Sequence, residues 1–435
     1  MSSDHASDAT TPKKRALRCA TAGSVDDGKS TLLGRLLFDA KAIMTDQLEH
    51  VEEASRRRGL GRTDLALVTD GLRAEREQGI TIDVAWRYFA TPARRFILAD
   101  APGHVQYTRN MVTAASRADV AIVLVDVRHG LVEQTRRHLF VTRLLAVRSI
   151  AVVVNKMDQV GYAYDVFARV REEIATYLRG LDGLFDGGAP PEVTFFPVSA
   201  LVGDNVVDRS AHTPWYDGPT LLAHLEGLDV EEEAARAPAR FAVQWVIRPQ
   251  TAELPDYRGY AGRVLSGALR PGDRVTVWPS GLSSTVTRIE TLGADLDVAP
   301  AGASVTVHLA DELDVGRGDL LTVDGEPAPS LVRELEADVA WVHASQAKVG
   351  VPYLLKHGTR EVRAMVGAIV HQYDVATGAH AAPGAGGLQM NGIARVSLRL
   401  SEPLPLDLFA KQKETGSFLL MDPSSGATLA AGMVR

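Results

Sequence analysis

Eight consecutive residues near the start of the chain have the types and spacing that hold phosphate groups. The segment from Gly23 to Ser30 fits the pattern G-x-x-x-x-G-K-[ST], and it lies between a short apolar run and a helical pattern. Glycines let successive backbone N–H groups turn toward a phosphate, and the following helix directs its positive end at it. We predict that Lys29 reaches the β- and γ-phosphates of a nucleotide and that Ser30 supplies a hydroxyl to Mg²⁺.

A second segment predicts which base is bound. Asn-Lys-Met-Asp at 155–158 follows the apolar run Ile150 to Val154, at the strand end where open α/β sheets bind ligands. The carboxylate of Asp158 can accept from both N1–H and the amine of guanine. Asn and Asp also cap helices, so this motif gains its specificity from the phosphate loop upstream. Ser-Ala-Leu at 199–201 resembles the segment that backs the base in GTPases.

Two further segments are predicted to sense the third phosphate. Asp-Ala-Pro-Gly-His at 100–104 ends another apolar run, with Asp100 holding Mg²⁺ through water and Gly103 approaching the γ-phosphate. Glu-Gln-Gly-Ile-Thr at 77–81 resembles the other switch of GTPases, with Thr81 as a second hydroxyl for Mg²⁺. A threonine after Gly-Ile is also common in a strand, and the spacing from the phosphate loop favours the switch.

The elements that must position these residues follow from periodicity. Between 17 and 228, short apolar strands such as Val120 to Val125 alternate with helical stretches such as Tyr164 to Leu178, which predicts a mostly parallel sheet with helices on both faces. From Phe241 onward, β-rich runs separated by Pro-Gly and Gly-Asp turns predict β-barrels. The predicted fold class is an α/β P-loop GTPase domain followed by two β-barrel domains. Its predicted divisions are a flexible tail at 1–16, the GTPase domain at 17–228, a linker at 229–240, and barrels at 241–330 and 331–435.

Composition excludes several classes of protein. The 435 residues carry a net charge of -7 and 46% hydrophobic residues, which is ordinary for a globular protein and gives no general attraction to nucleic acid. The single cysteine, Cys19, cannot form an intrachain disulfide, and no apolar run approaches the ~18 residues of a membrane span. The chain is therefore expected to be cytoplasmic, with nucleic acid and membrane both unlikely partners.

Several strings of the sequence resemble one family. A GTPase domain, a short linker and two barrels look like the translation factors related to elongation factor Tu. Within that group the chain resembles the large GTPase subunit of bacterial sulfate adenylyltransferase, through Gly-Ser-Val-Asp-Asp-Gly-Lys-Ser-Thr at 23–31, Gln106-Tyr-Thr-Arg-Asn-Met111, Gly203-Asp-Asn-Val206, Gln244-Trp-Val-Ile-Arg-Pro249 and Arg258-Gly-Tyr-Ala-Gly-Arg-Val264.

The resemblance implies a partner and a set of roles. GTP and Mg²⁺ would be the cofactors, and a smaller catalytic subunit (CysD type) would join ATP and sulfate to give adenylyl sulfate and pyrophosphate, in a heterodimer or higher assembly. His104 would orient the water that attacks GTP, beside an apolar gate of Val25 and Ile80 that could equally be core residues. Asp26 would help bind a monovalent cation or, equally, cap a turn. Lys29, Thr81 and His104 are the implied catalytic residues.

The residues predicted to contact GTP all lie within the motifs described above. They are Gly23, Ser24, Val25, Asp26, Asp27, Gly28, Lys29, Ser30, Thr31, Asp100, Ala101, Pro102, Gly103, His104, Asn155, Lys156, Met157, Asp158, Ser199, Ala200 and Leu201. Magnesium would be held by Ser30, Thr81 and, through water, Asp100.

The sequence also departs from the family and leaves alternatives open. The family usually has Thr at Ala101 and Glu at Val105, and the second departure bears on contacts with the partner. No second phosphate loop follows, so no adenylyl-sulfate kinase is expected in this chain. A translational GTPase that delivers tRNA or a release factor shares the same fold and cofactor, but no Lys/Arg cluster typical of RNA binding is visible in the barrels. A regulatory GTPase remains a third reading.

Overall fold

The computed structural model describes residues 14–57, 63–68, 84–102, 108–185, 189–230, 232–249, 251–252, 256–382 and 387–435. They form two compact units. One reaches to Asp182 and includes Pro190–Val230, and the other comprises Gly183–Ala189 and Glu231–Arg435. Within the described residues, no helix combines the length and the apolar composition that crossing a membrane would require.

A six-stranded sheet forms the centre of the first unit. Its strands are β1 (Leu17–Ala22), β2 (Ala85–Ala90), β3 (Arg95–Asp100), β4 (Val120–Asp126), β5 (Ser149–Asn155) and β6 (Glu192–Pro197). Their order is β2-β3-β1-β4-β5-β6, and all neighbours are parallel except the antiparallel pair β2–β3. Every residue of β4 and β5 is buried, as expected for central parallel strands covered on both faces.

Helices cover this sheet. They are α1 (Lys29–Asp39), α2 (Thr45–Arg57), α3 (Thr108–Ala115), α4 (Glu133–Leu144), α5 (Tyr164–Gly180) and α6 (Leu221–Gly227), with 3₁₀ turns at Leu65–Val68 and Met157–Val160. The leucines of α1 recur at helical spacing, and Leu32, Leu33 and Leu36 are fully buried against β1, β3 and β4. This packing fixes α1 directly behind the phosphate loop.

The sheet brings the predicted site residues to one edge. Parallel strands end on the same side, so Asp100, Asp126 and Asn155 close β3, β4 and β5 at the carboxyl edge of the sheet. The register places Thr21 opposite Asp100, and Asp126 opposite Asn155. Three polar side chains therefore end three strands at this edge of the sheet, with β1 lying between β3 and β4.

The second unit contains two closed barrels. The strands of the first barrel, with their short extensions, are β7 (Arg240–Ile247), β8 (Gly259–Ser266), β9 (Ala268–Leu269), β10 (Arg274–Trp278), β11 (Leu282–Thr291), β12 (Ala294–Asp295), β13 (Ala299–Pro300), β14 (Ser304–Leu309) and β15 (Leu320–Val323). Those of the second are β16 (Ser330–Trp341), β17 (Pro352–His357), β18 (Arg360–Tyr373), β19 (His380–Ala381), β20 (Ile393–Leu406), β21 (Ser417–Met421) and β22 (Thr428–Val434). The first barrel has the order β10-β15-β7-β8-β14-β11 and closes through the pairing of β10 with β11. The second has the order β17-β21-β22-β16-β20-β18 and closes through the pairing of β17 with β18. The predicted fold class is confirmed.

One buried ion pair joins the two barrels. Arg240 is 1% exposed, and its Nε and Nη2 each donate to the Asp407 carboxylate at 3.0 Å, while Nη2 also donates to the Pro327 carbonyl at 2.8 Å. A short helix, α7 (Glu232–Arg236), precedes it within the segment that the sequence assigns to a linker. Two parallel charge-assisted hydrogen bonds add geometric specificity as well as energy, so this pair contributes to holding the two barrels together.

Candidate nucleotide site

The phosphate loop has the backbone geometry that its glycines predict. Gly28, the N-cap of α1, has φ +91°, and a Cβ there would lie 2.4 Å from Asn155 Nδ2. Asp26 is held at φ +66°, which is uncommon for a side-chain-bearing residue and typical of functional loops. The loop closes on itself, because Ser24 N donates to Asp27 Oδ2 at 2.6 Å and Asp27 N donates to Ser24 O at 3.2 Å.

Lys29 and Asp100 lie next to each other at the phosphate end of the site, which is the end formed by the phosphate loop and the end of β3. Lys29 is buried, its Nζ lies 3.3 Å from Asp100 Oδ1, and it donates to the Ala101 carbonyl. Thr21 Oγ1 donates to the same Asp100 oxygen at 3.0 Å. Ala101 contributes its backbone carbonyl, so the threonine that the family usually has there is not required for this contact. Ser30, the second residue of α1, follows Lys29 directly.

The remaining predicted residues of the phosphate end lie outside the described residues. These are Thr81, Gly103 and His104, together with Ile80 and Val105. Val25 is described and is 46% exposed, so it is not a core residue here. In the described ranges, no three acidic, histidine or cysteine side chains are grouped in a way that could hold a metal ion.

The base end is tied to the phosphate loop by one asparagine. Asn155 is 2% exposed, its Nδ2 donates to the Asp27 carbonyl at 2.8 Å, and its Oδ1 accepts from Ala200 N at 2.9 Å. Three segments far apart in the sequence therefore meet at this side chain. Met157 is fully buried, and Asp158 Oδ1 accepts from Ser199 Oγ at 2.7 Å.

Asp126 is a site residue that the sequence analysis missed. Its carboxylate accepts from Arg128 at 3.0 Å (Nε) and 2.6 Å (Nη2), and Lys156 Nζ lies 3.0 Å from Oδ2. Lys156, at φ +65°, also donates to the Asp26 carbonyl. Burial raises the pKa of Asp126, but hydrogen bonds from Arg128 and Lys156 outweigh burial and hold that pKa well below its usual range. Asp126 is thus a fixed anion that orients both cations.

A cavity of about 260 Å³ opens at this end of the sheet. Its lining consists of Gly28, Thr31, Arg128, Asn155, Lys156, Asp158, Gln159, Ala200 and Leu201. The volume lies just below the range of about 300–1,000 Å³ that is usual for small-molecule pockets. A wider hollow of about 620 Å³ between α4 and α5, around Arg136 and Tyr177, contains none of the predicted residues.

Asp27 has an unusual proton affinity. Burial raises its pKa from 3.8 to about 6, against the effect of the Ser24 backbone N–H, which lowers it. The Asp27 carboxyl lies within the loop that is predicted to surround phosphates, where it accepts from the Ser24 backbone N–H. Because it loses its proton only near pH 6, the charge of this loop changes in mildly acidic solution.

Comparisons with known proteins identify the family. The model of the elongation factor Tu GTP binding domain matches residues 14–244, and that of the GTP-eEF1A C-terminal domain-like family matches residues 334–435. Sulfate adenylyltransferase subunit 1 of Citrobacter koseri is 47% identical over 424 residues, which cover 97% of this chain and 86% of the relative. The chain belongs to the sulfate adenylyltransferase subunit 1 family. The bifunctional enzyme CysN/CysC of Mycobacterium tuberculosis is 50% identical, over 96% of this chain and 67% of that protein.

Membership of the sulfate adenylyltransferase subunit 1 family agrees with the resemblance given by the sequence motifs. The GTP-binding domain match includes every residue that lines the 260 Å³ cavity. Among solved structures, sup35 complexed with GDP matches with a TM-score of 0.43 and 23% identity, over 97% of this chain and 94% of that one.

Proposed function

We propose that this chain is the GTP-hydrolysing subunit of a sulfate adenylyltransferase. A smaller catalytic subunit of the CysD type would form adenylyl sulfate and pyrophosphate from ATP and sulfate in the cytoplasm, as part of sulfate assimilation. The observation that carries the proposal is the position of Asn155, which joins the phosphate loop to the base-end loop at the rim of the cavity. Family membership supports the choice of reaction.

The residues at the phosphate end are suited to bind a nucleoside triphosphate together with a magnesium ion. The N-cap residue of the 11-residue helix α1 is Gly28, which makes no side-chain hydrogen bond to the first N–H groups of the helix. Lys29 is held beside them by Asp100. Ser30, Asp100 and Thr81 would hold Mg²⁺, which supplies charge neutralisation at the β- and γ-phosphates when it is bound.

His104 is proposed to orient the attacking water, and Thr81 to complete the magnesium site. Both assignments rest on their positions in the sequence motifs, as does a monovalent cation near Asp26. The Asp26 carbonyl accepts from Lys156, so the Asp26 carboxylate is the candidate ligand for this cation.

GTP hydrolysis gives the partner reaction a driving force. Adenylyl sulfate contains a phosphosulfate anhydride, and its formation from ATP and sulfate is unfavourable. Coupling requires that the partner subunit bind the GTP and GDP states of this chain with different affinity. The chain would therefore perform GTP hydrolysis, and the partner would perform adenylyl transfer.

The test measures both reactions together. Purified full-length chain is incubated with GTP, with and without the small subunit from the same genome, and with ATP and sulfate. We expect GTP turnover to rise with the partner and adenylyl sulfate formation to depend on GTP. If turnover responds only to ribosomes, the chain is a translational GTPase and the proposal is wrong.

A further inference from the structure

Arg35 joins the first helix to the loop at the base end of the site. Arg35 is the seventh residue of α1. Its Nη2 donates to the Leu201 carbonyl at 2.8 Å, and its Nε donates to the Ala200 carbonyl at 3.4 Å. The two carbonyls belong to consecutive residues. A guanidinium presents its N–H groups in a rigid fork, so one side chain can bind both.

The loop that Arg35 binds, residues 199–203, is called the base loop here. Ala200 and Leu201 line the 260 Å³ cavity. From the same loop, Ser199 Oγ donates to the carboxylate of Asp158 at 2.7 Å, and Ala200 N donates to Asn155 Oδ1 at 2.9 Å. The position of the base loop therefore sets both the shape of the cavity and the orientation of the guanine-reading carboxylate.

The base loop has a buried start and an exposed end. Ala200 is 1% exposed and belongs to the core of the first unit, whereas Leu201 and Val202 are 36% and 56% exposed. Gly203, at φ +103°, lies beside Arg35, since a Cβ there would lie at an ordinary contact distance of 3.6 Å from the guanidinium. Beyond Ala200 the loop has little apolar packing, and Arg35 supplies two hydrogen bonds to the loop backbone.

The anchor itself is rigid. Arg35 extends from a helix whose neighbouring residues Leu33 and Leu36 are fully buried, and this packing holds it in place. Asp39, one turn further on, adds only a long contact, 3.5 Å from Nη1. The same helix begins with Lys29, at the phosphate end. One packed helix therefore carries the lysine for the phosphates at its start and the support of the base loop two turns later.

We propose that Arg35 is a positioning residue that sets the affinity of the site for guanine nucleotides by holding the base loop against the cavity. The inference rests on the proposed GTP binding. Within the described ranges, the hydrogen bonds and ion pair of Arg35 involve no phosphate-end residue, so its effect falls on the part of the nucleotide that GTP and GDP share.

The test compares nucleotide binding by full-length Arg35→Met and the unaltered chain. Methionine keeps an unbranched apolar stem and removes both donors. We expect the dissociation constants for GTP and for a fluorescent GDP analogue to rise by the same factor, about tenfold, as loss of one good hydrogen bond and one weak bond implies. The number of binding sites and the turnover at saturating GTP stay within twofold.

Three further variants sharpen the test. Arg35→Lys keeps the charge but has a single nitrogen, so we expect an intermediate affinity. Asp39→Asn removes the ion pair and leaves both carbonyl contacts. Arg179→Met removes an exposed arginine of α5 whose contacts, among the described residues, are with Glu172 and Thr176 of the same helix. Both are expected to bind within twofold of the unaltered chain.

The outcomes separate this inference from the proposed function. If Arg35→Met shows fewer sites with unchanged affinity, its role is structural and the inference is wrong. It is also wrong if both affinity and site number are unchanged while the unaltered chain binds GDP. Failure of the unaltered chain itself to bind either nucleotide would overturn the proposed function.

Discussion

Replacement of Asn155 with alanine tests how the site is held together without any assumption about its ligand. The change removes the amide that binds the Asp27 carbonyl at 2.8 Å and Ala200 N at 2.9 Å, where both residues are at most 5% exposed. A buried polar group left without its partner costs about 1–3 kcal/mol. Because Asn155 lines the cavity, water can reach part of the space, so we expect a total of about 2–4 kcal/mol.

The assay must report on the first unit alone, since a chain with two compact units need not unfold in one step. Cys19 gives that probe, because it is the single cysteine of the chain and is 1% exposed in β1. Brief exposure to a thiol reagent along a urea series labels Cys19 only where the first unit has unfolded. With a slope of about 2 kcal/mol/M, the labelling midpoint should fall by about 1–2 M.

Gln159→Ala is the matched control for this prediction. Gln159 also lines the cavity, but its amide bonds to Asp158 at the surface, 2.7 Å from Oδ2. Its loss should move the labelling midpoint by no more than about 0.25 M, because exposed substitutions usually change stability by less than about 0.5 kcal/mol. A shift for Asn155→Ala as small as that of the control would refute the view that this side chain ties the loops together.

The remaining predictions concern charge. The pKa of Asp27 is about 6 in the folded chain against an ordinary 3.8, so the folded state keeps a proton that the unfolded state releases, and the free energy of unfolding falls by about 3 kcal/mol as pH rises from about 4 to 6. Thermal melts of nucleotide-free Asp27→Asn should lack this loss, and parallel curves for both proteins would contradict it. Arg240→Met leaves the Asp407 carboxylate without its buried partner and should destabilise the second unit by about 3–5 kcal/mol, measured by thermal unfolding, whereas Arg399→Met breaks only an exposed pair with Glu334 and should cost less than about 1 kcal/mol. Asp158→Asn should weaken GTP binding by about 100-fold, through loss of two charge-assisted hydrogen bonds, and should improve binding of xanthosine triphosphate, whose 2-carbonyl accepts from an amide; calorimetric titration with both nucleotides decides this.

Much of the first unit was predictable because its strands are apolar throughout. The runs Val120 to Val125 and Ile150 to Val154 predict strands that the structure extends by a single polar residue at the carboxyl end, to Asp126 and Asn155. Central parallel strands are buried on both faces, so they must be continuously hydrophobic, and that pattern is visible without a structure. The barrels were predictable for a related reason, since turns marked by Pro-Gly and Gly-Asp separate their strands.

The structure joins motifs that the sequence predicted only as separate segments. Lys29 and Asp100 lie 3.3 Å apart, and Asn155 contacts the phosphate loop. These residues lie in local strings whose spacing reflects a chemical requirement, so the strings themselves predict the chemistry. The roles of Thr81 and His104 stay predictions, because both lie outside the described residues.

Only the tertiary structure identified Asp126 and Arg35 as parts of the site. Asp126 reads as the polar end of a strand, and its partner Lys156 is 30 positions away in the sequence. Arg35 reads as one charged residue on the polar face of an amphipathic helix. Its partners are the backbone carbonyls of Ala200 and Leu201, which lie 165 and 166 positions further along the chain. Every residue has the same backbone carbonyl, whatever its type, so the sequence does not show which carbonyls Arg35 binds. Only the folded structure shows this contact.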